Sequence, residues 1–197
     1  MKSLTISLVL VLSIIISSWA VAQDTTGFVQ AYTPTSELSP ALNGGTSTHF
    51  EGSDWGLSSF FLVSGEWGEG YIGPTFAPLE MLEIGLSAGI QQSDDSVEPR
   101  FAFSVWTEVG DFSMFSVLEF DLNGVDGLWW DLAPKFAVLD WLQIGLKARR
   151  FVGVGPFVNV SIPEIPVDLW GSWNPWDPED PTGFTSESGL LGVSLDF

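Results

Sequence analysis

The sequence predicts an all-β fold: one closed, antiparallel up-and-down barrel of the transmembrane kind. Three observations lead there. An export-type leader opens the chain, yet no later apolar run reaches the roughly 20 residues that a membrane-crossing helix needs. From Trp55 onward, apolar and polar residues alternate in short runs separated by turn residues. Most of the few basic residues share a strand face with acids, opposite a face of large apolar side chains.

Residues 1–22 read as a signal peptide. Lys2 carries the positive charge, Leu8–Leu12 and Ile14–Ile16 form the apolar run, and Ala20-Val21-Ala22 before Gln23 fits an A-x-A cleavage site. Removing 22 of 197 residues leaves 175, enough for one domain and one closed sheet.

Composition narrows the function classes. With 25 acidic residues against six basic ones, the chain repels nucleic acid, so none is expected as a partner. There is no cysteine, which rules out disulfide stapling and thiolate metal chemistry. At 45% hydrophobic residues and ten tryptophans, acidity does not mean disorder, because much apolar surface must be buried or solvated by lipid. A lipid-embedded chain without helical spans satisfies its backbone only as a closed barrel.

Residues 23–52, rich in Thr, Ser, Pro and Gly, read as an extended polar segment with a short strand at 28–32. The barrel is expected over 53–197. Breaks fall near 65–70, 78–81, 92–97, 109–111, 123–127, 138–141, 152–156, 163–166 and 174–184, which gives ten strands. Eight is the alternative if the weakly patterned pair at 157–162 and 167–173 is discounted. An even count returns both ends to the periplasmic side. The turns at 78–81, 109–111, 138–141 and 163–166 then face the periplasm, and the other breaks face outward.

The clearest strand is Leu82-Glu83-Ile84-Gly85-Leu86-Ser87-Ala88-Gly89, with every even position apolar. The pattern returns at Leu142-Gln143-Ile144-Gly145-Leu146-Lys147-Ala148-Arg149, an offset of 60 residues. Over 74–89 against 134–149, nine of sixteen positions are identical, so each copy reads as strand, tight turn, strand.

Alternation alone leaves open which face meets lipid. Parity that turns Leu82, Phe101, Phe103, Leu118, Phe120, Leu142, Ile144 and Leu146 outward puts Glu83, Glu98, Arg100, Glu119, Asp121, Asp131, Lys135, Lys147 and Arg149 inward. Antiparallel pairing about 109–111 brings Arg100 to Glu119 or Asp121. Pairing about 138–141 brings Asp131 to Lys147 or Arg149. Charges in a water-poor lumen need such partners. Trp106, Trp129, Trp130 and Trp141, with Trp67, Trp170 and Trp173, fall near strand ends and read as interface girdles. Arg150, on the outward parity near an outer strand end, reads as a further interface anchor that snorkels to a lipid phosphate.

At the other end, Leu191, Val193, Leu195 and Phe197 share one face, with Gly192, Ser194 and Asp196 between them. A last strand of this kind, closing on an aromatic residue, resembles the recognition signal of bacterial outer-membrane β-barrel proteins. The resemblance implies location in the outer membrane, with its lipid as surroundings. It also implies the barrel-assembly machinery as the partner that reads the C-terminal strand.

Candidates for chemistry are few. His49, the single histidine, reads as a solvated loop residue on the periplasmic side, which leaves no metal site or Ser-His-Asp triad. Asp121–Gly127 loosely resembles a calcium loop, but its Asn123-Gly124 is a hairpin signal. Asp94-Asp95 and Asp177, Glu179 and Asp180 read as solvated acidic loops, and the sequon at Asn159 lies within a strand. No cofactor and no enzymatic activity are expected. The first functional expectation is a structural or surface-binding barrel whose lumen is closed by ion pairs, with Tyr71, Phe115 and Trp170 also pointing inward. The alternatives are a narrow cation-preferring channel, motivated by the acidic excess in the lumen, and a soluble periplasmic barrel that binds an apolar ligand.

Overall fold

The computed structural model describes residues 25–35, 39–65, 67–93, 96–122, 127–179, 183–184 and 188–197. The leader, Asp94-Asp95, Asn123–Asp126 and Asp180 lie outside the described residues. The described chain is all-β. Twelve strands run in order: β1 (Thr25–Pro34), β2 (Ala41–His49), β3 (Trp55–Ser64), β4 (Trp67–Leu79), β5 (Leu82–Ser93), β6 (Ser96–Val109), β7 (Phe112–Phe120), β8 (Trp129–Leu139), β9 (Leu142–Arg149), β10 (Gly153–Ile162), β11 (Val167–Trp173) and β12 (Gly189–Asp196). Every pairing is antiparallel between chain neighbours, and β1 closes on β12. The fold is a meander barrel without an edge strand, so each strand finds its backbone partners in the two beside it.

The strand count of ten, and its alternative of eight, are corrected to twelve. The strands expected from Trp55 on are all present as β3 to β12, the weakly patterned pair included as β10 and β11. The two missing ones lie in the segment read as polar and extended, so the barrel begins at Thr25 rather than near residue 53. Apart from Val29 and Leu42, their outward positions are small or hydroxylated rather than greasy, which hides the period of two. In place of bulk, Gly44 and Gly45 make room for rings. A Cβ at Gly44 falls 2.8 Å from the Phe61 ring, and one at Gly45 falls 3.2 Å from the Phe28 ring. Thr46 and Ser59 join their hydroxyls at 2.9 Å, as do Thr25 and Thr48 at 3.0 Å.

The connections sort to two ends. At one, here the turn end, lie 50–54, 80–81, 110–111, 140–141 and 163–166, together with the start of β1 and the end of β12. At the opposite, loop end the chain passes from β1 to β2, β3 to β4, β5 to β6, β7 to β8, β9 to β10 and, by the 174–188 connection, β11 to β12. Gly110 takes a φ of 58° in the 110–111 turn, a left-handed conformation that glycine adopts without a Cβ penalty.

The 60-residue repeat is visible in the backbone. β4–β5 and β8–β9 are the two copies, and each carries a register shift before its turn, between Phe76 and Leu79 and between Ala137 and Leu139. At the repeat-equivalent alanines, the Ala77 N–H bonds to the Asp54 carbonyl and the Ala137 N–H to the Asp111 carbonyl. A bulge in the same place re-aims the same stretch of both hairpins.

Gly89 stands opposite Tyr71, where an added Cβ falls 2.0 Å from the Gly70 carbonyl oxygen. Gly89→Ala is therefore expected to cost about 1–3 kcal/mol by forcing the β4–β5 pair apart. It should lower the temperature at which the folded gel band is lost. Gly68→Ala, whose Cβ would meet the end of the Val63 side chain at 3.2 Å and no backbone atom nearer than 3.4 Å, is expected to lower it less.

Candidate functional site

Period-two alternation places one half of each strand's side chains inside the barrel. The register carries a single face from Tyr71 through Gly89 and Arg100, then from Ala102 to Glu119. It continues to Trp129 and Asp131, and from Asp131 to Arg149. This inner face holds the buried charges. The other face carries exposed Leu86, Phe103, Phe136, Ile144, Leu146 and Leu169. On it too lie Leu191, Val193, Leu195 and Phe197, all exposed. Phe197 also shares two backbone hydrogen bonds with Gly27, at 2.7 and 2.9 Å, which complete the β1–β12 seam.

Toward the loop end the lumen is crossed by two charged clusters. In the first, Tyr71 Oη lies 2.9 Å from Glu69 Oε2 and 3.0 Å from Glu119 Oε2, and accepts from Arg100 Nε at 3.0 Å. Arg100 also donates to Gln91 Oε1 at 2.6 Å, and its Nη2 is 3.6 Å from Glu119 Oε2. The Tyr71–Glu119 contact runs from β4 to β7 and is therefore a chord through the interior. In the second cluster, Lys147 Nζ is 2.7 Å from Asp131 Oδ1, and Arg149 Nε donates to Asp131 Oδ2 at 2.8 Å. The Arg149 guanidinium lies over the Tyr32 ring at 4.9 Å and the Trp129 ring at 5.4 Å, so it spans from β9 to β1.

Glu69, Arg100, Glu119, Asp131, Lys147 and Arg149 are all at most 8% exposed. The first cluster has two carboxylates and one guanidinium, and the second has one carboxylate and two cations. Each is unbalanced alone; together, three acids face three bases. A buried charge without its counterpart is costly, so the two clusters depend on sharing one interior. Beside them, Tyr32, Ala41, Leu62, Trp170 and Leu190 form an apolar core inside the barrel. Asn174, fully buried, donates to the Lys147 and Gly153 carbonyls at 2.9 and 3.1 Å and ties the start of the 174–188 loop across this region.

The two clusters occupy equivalent places in the repeat. Tyr71 and Asp131 are 60 residues apart, and each is paired to the residue 18 positions on, Gly89 and Arg149. Thr75, Ser87 and Gly89 in the first copy correspond to Lys135, Lys147 and Arg149 in the second.

The other expected lumen residues are placed as follows. Glu98 faces inward beside Gln91 and joins no ion pair among the described residues. Asp121 lies just beyond β7, its carboxylate where a Cβ on Gly127 would stand. Lys135 faces inward at the turn-end half, in the field of Asp168, Asp196 and Glu108. Glu83 is inward and is bound from across the lumen: His49 Nε2 is 2.7 Å from its Oε2, and Ser47 Oγ donates to it at 3.3 Å. His49 is thus the last residue of β2 and not a loop residue. Asn159 is buried and donates to Asp168 Oδ2 at 2.8 Å.

Of the expected interface anchors, Trp130 is on the outward face and Trp141 is exposed in the 140–141 turn. Trp173 and Trp55 also stand outward at strand ends. Trp106 and Trp129 do not join them. Their parity is that of Arg100 and Asp131, so both face the lumen, as do Trp67 and Trp170. Closeness to a strand end says nothing about face, and parity overrides it. Arg150 donates to Glu179 Oε1 at 2.9 Å with its guanidinium 4.6 Å from the Phe151 ring centre, which places it against the 174–188 loop. Glu69 is the one cluster member that sequence reasoning missed. It lies between Gly68 and Gly70, whose missing side chains erase the outward half of the alternation.

No family model matches the chain, and neither does any curated protein. Solved structures do. The NanC porin superposes with a TM-score of 0.55 at 7% identity, covering 87% of this chain and 98% of its own. The KdgM porin superposes with a TM-score of 0.53 at 11% identity, covering 87% and 99%, and has also been solved in complex with disordered oligogalacturonate. The fold shared with these outer-membrane porins is a small closed barrel that spans nearly their whole length.

Removing the hub carboxylate by Asp131→Ala leaves two buried cations without their counterion and is expected to cost about 3–5 kcal/mol. Replacing Asp131 and Arg149 together with Leu and Met removes one charge of each sign, leaves two acids facing two bases, and is expected to restore part of that loss. Thermal unfolding of the folded gel band checks both.

Proposed function

We propose that this chain is an integral barrel of the bacterial outer membrane whose lumen is shut at rest, serving as a structural or surface-binding element. Its placement in lipid is supported by the exposed apolar face set against an interior of buried charges. A soluble barrel reverses that arrangement, with its apolar face inward. Tryptophans at both ends of the outward face, Trp55 and Trp141 at one and Trp130 and Trp173 at the other, fit the two interfaces of a bilayer. The turn end is then periplasmic, and the 174–188 loop lies on the cell surface.

The observation that carries the closed reading is the belt of side chains at most 8% exposed that spans the loop-end half of the lumen. The charged clusters fill one side of it and the Tyr32–Leu62–Trp170–Leu190 core fills the other. Each cross-barrel contact is hydrogen-bonded or ring-stacked, so opening a path means breaking several charge-assisted bonds at once.

A narrow cation-preferring channel is the second reading, and the acids of the turn-end half favour it: Glu108, Asp168 and Asp196 act on a single lysine, Lys135, and Glu83 stands on the same inner face. Planar-bilayer recording of the purified protein separates the two. The closed reading expects no stepwise current from the wild-type chain, and steps to appear in an Arg100→Ala, Tyr71→Phe double variant that removes two of the cross-barrel contacts. Cation-selective steps from the wild type overturn it in favour of the channel. For location, the chain is expected in the outer-membrane fraction as a heat-modifiable band; release by osmotic shock would contradict membrane placement.

A further inference from the structure

The loop-end half of the lumen is filled, and the turn-end half is built differently. Its inward positions include many small residues, Gly56, Ser58, Ser104, Ala133 and Gly145 among them. Two exposed aromatic side chains stand in this half, while Phe28, also inward here, packs over Gly45. Trp106 and Phe115 are directly paired across β6 and β7 on the inner face, and they remain 38% and 44% exposed. Of the lumen aromatics of the other half, Tyr32, Tyr71 and Trp170 are at most 8% exposed, and Phe60, Trp67 and Trp129 are partly buried. An uncovered aromatic pair inside a barrel leaves apolar area in water that a filled core would bury.

Carboxylates flank the pair. Glu83 stands directly opposite Trp106 on β5, and Glu108 lies two residues along β6 on the same face. Directly opposed residues have Cβ atoms about 5 Å apart, so the Glu83 carboxylate and the indole ring border one space. Glu83 is also held in position, by Ser47 and His49 reaching from β2. The basic groups of this half are His49, already on Glu83, and Lys135, opposite Ser113 and in the field of Glu108, Asp168 and Asp196.

Ring faces bordered by fixed carboxylates are the arrangement that attracts an organic cation. The ring quadrupole and the carboxylate act on the same positive charge, and the rings take its alkyl surface out of water. We propose that the turn-end vestibule is a binding site for a small organic cation of the quaternary-ammonium class, seated against Trp106 and Phe115 with Glu83 and Glu108 as its counter-charges. The site is a cup that opens at the turn end and is floored by the charged belt. It does not depend on whether the barrel conducts.

Equilibrium dialysis of the full-length folded protein in detergent tests this, with choline as the probe and 3,3-dimethylbutan-1-ol as its uncharged counterpart of the same shape. Choline should be retained with a dissociation constant in the millimolar range, and the alcohol about tenfold more weakly. Trp106→Leu is expected to weaken choline retention about two- to fivefold, the worth of a cation–ring contact in an open site. Glu83→Gln should weaken it by a similar factor and leave the alcohol unaffected. Phe115→Leu is the second aromatic variant, read in place of Trp106→Leu if that chain does not give a folded gel band. No choline retention by the wild type, equal retention of the alcohol, or unchanged retention in a folded aromatic variant overturns the proposal.

Discussion

Closure of β1 on β12 is the constraint on which the rest of this structure depends. With every strand paired on both sides, no strand can slip by one residue without turning its outward side chains into the lumen. The seam fixes parity once, and parity then decides which side chains meet each other in the lumen. Arg100 can reach Glu119, and Arg149 can reach both Asp131 and Tyr32, because seven consecutive antiparallel registers keep them on the same face. The outward apolar surface is the complement of that decision. It is not a separate design feature, since every residue that supplies a lumen contact has neighbours in sequence that must face away.

Within the lumen, energetics divide the barrel into two unlike halves. Toward the loop end, long side chains from opposite walls meet, and their charges cancel only when the two clusters are counted together. Such an interior is stable as a set and poorly tolerant of single losses, because removing one member leaves another buried and uncompensated. Toward the turn end, small residues line the wall and the few large ones are not packed against anything opposite. Rigidity is concentrated where the chords are, and accessible chemistry where they are absent.

Much of this was legible in the sequence because alternation is strongest where both faces are distinctive. β5 and β9, with Leu and Ile on one side and charged or small residues on the other, declare strand, parity and repeat together. The Arg100–Glu119 and Asp131–Lys147–Arg149 contacts followed from parity and turn position alone. β1 was legible only as a short strand at 28–32 and β2 not at all, because glycines there make room for the Phe28 and Phe61 rings of neighbouring strands, a contact no local window contains. Glu69 was lost for the same kind of reason, between two glycines. The lumen-facing Trp106 and Trp129 were misassigned because a tryptophan near a strand end fits an interface equally well. Only counting parity from Arg100 and Asp131 separates the two cases, and for these residues it was available and outweighed by residue type.

The repeat of β4–β5 in β8–β9 has a consequence for how this interior came to be. Copying a two-strand hairpin preserves both direction and face, so the copy enters the barrel with each residue already aimed as its original was. The position of Tyr71 became that of Asp131, and three small or uncharged residues of one copy correspond to three cations in the other. Neither version is self-sufficient in charge, and each supplies what the other lacks. The duplicates are no longer interchangeable. They have become lineages that must change in step, since a substitution that alters the sign of one hub has to be answered by the other or by the loss of the buried belt.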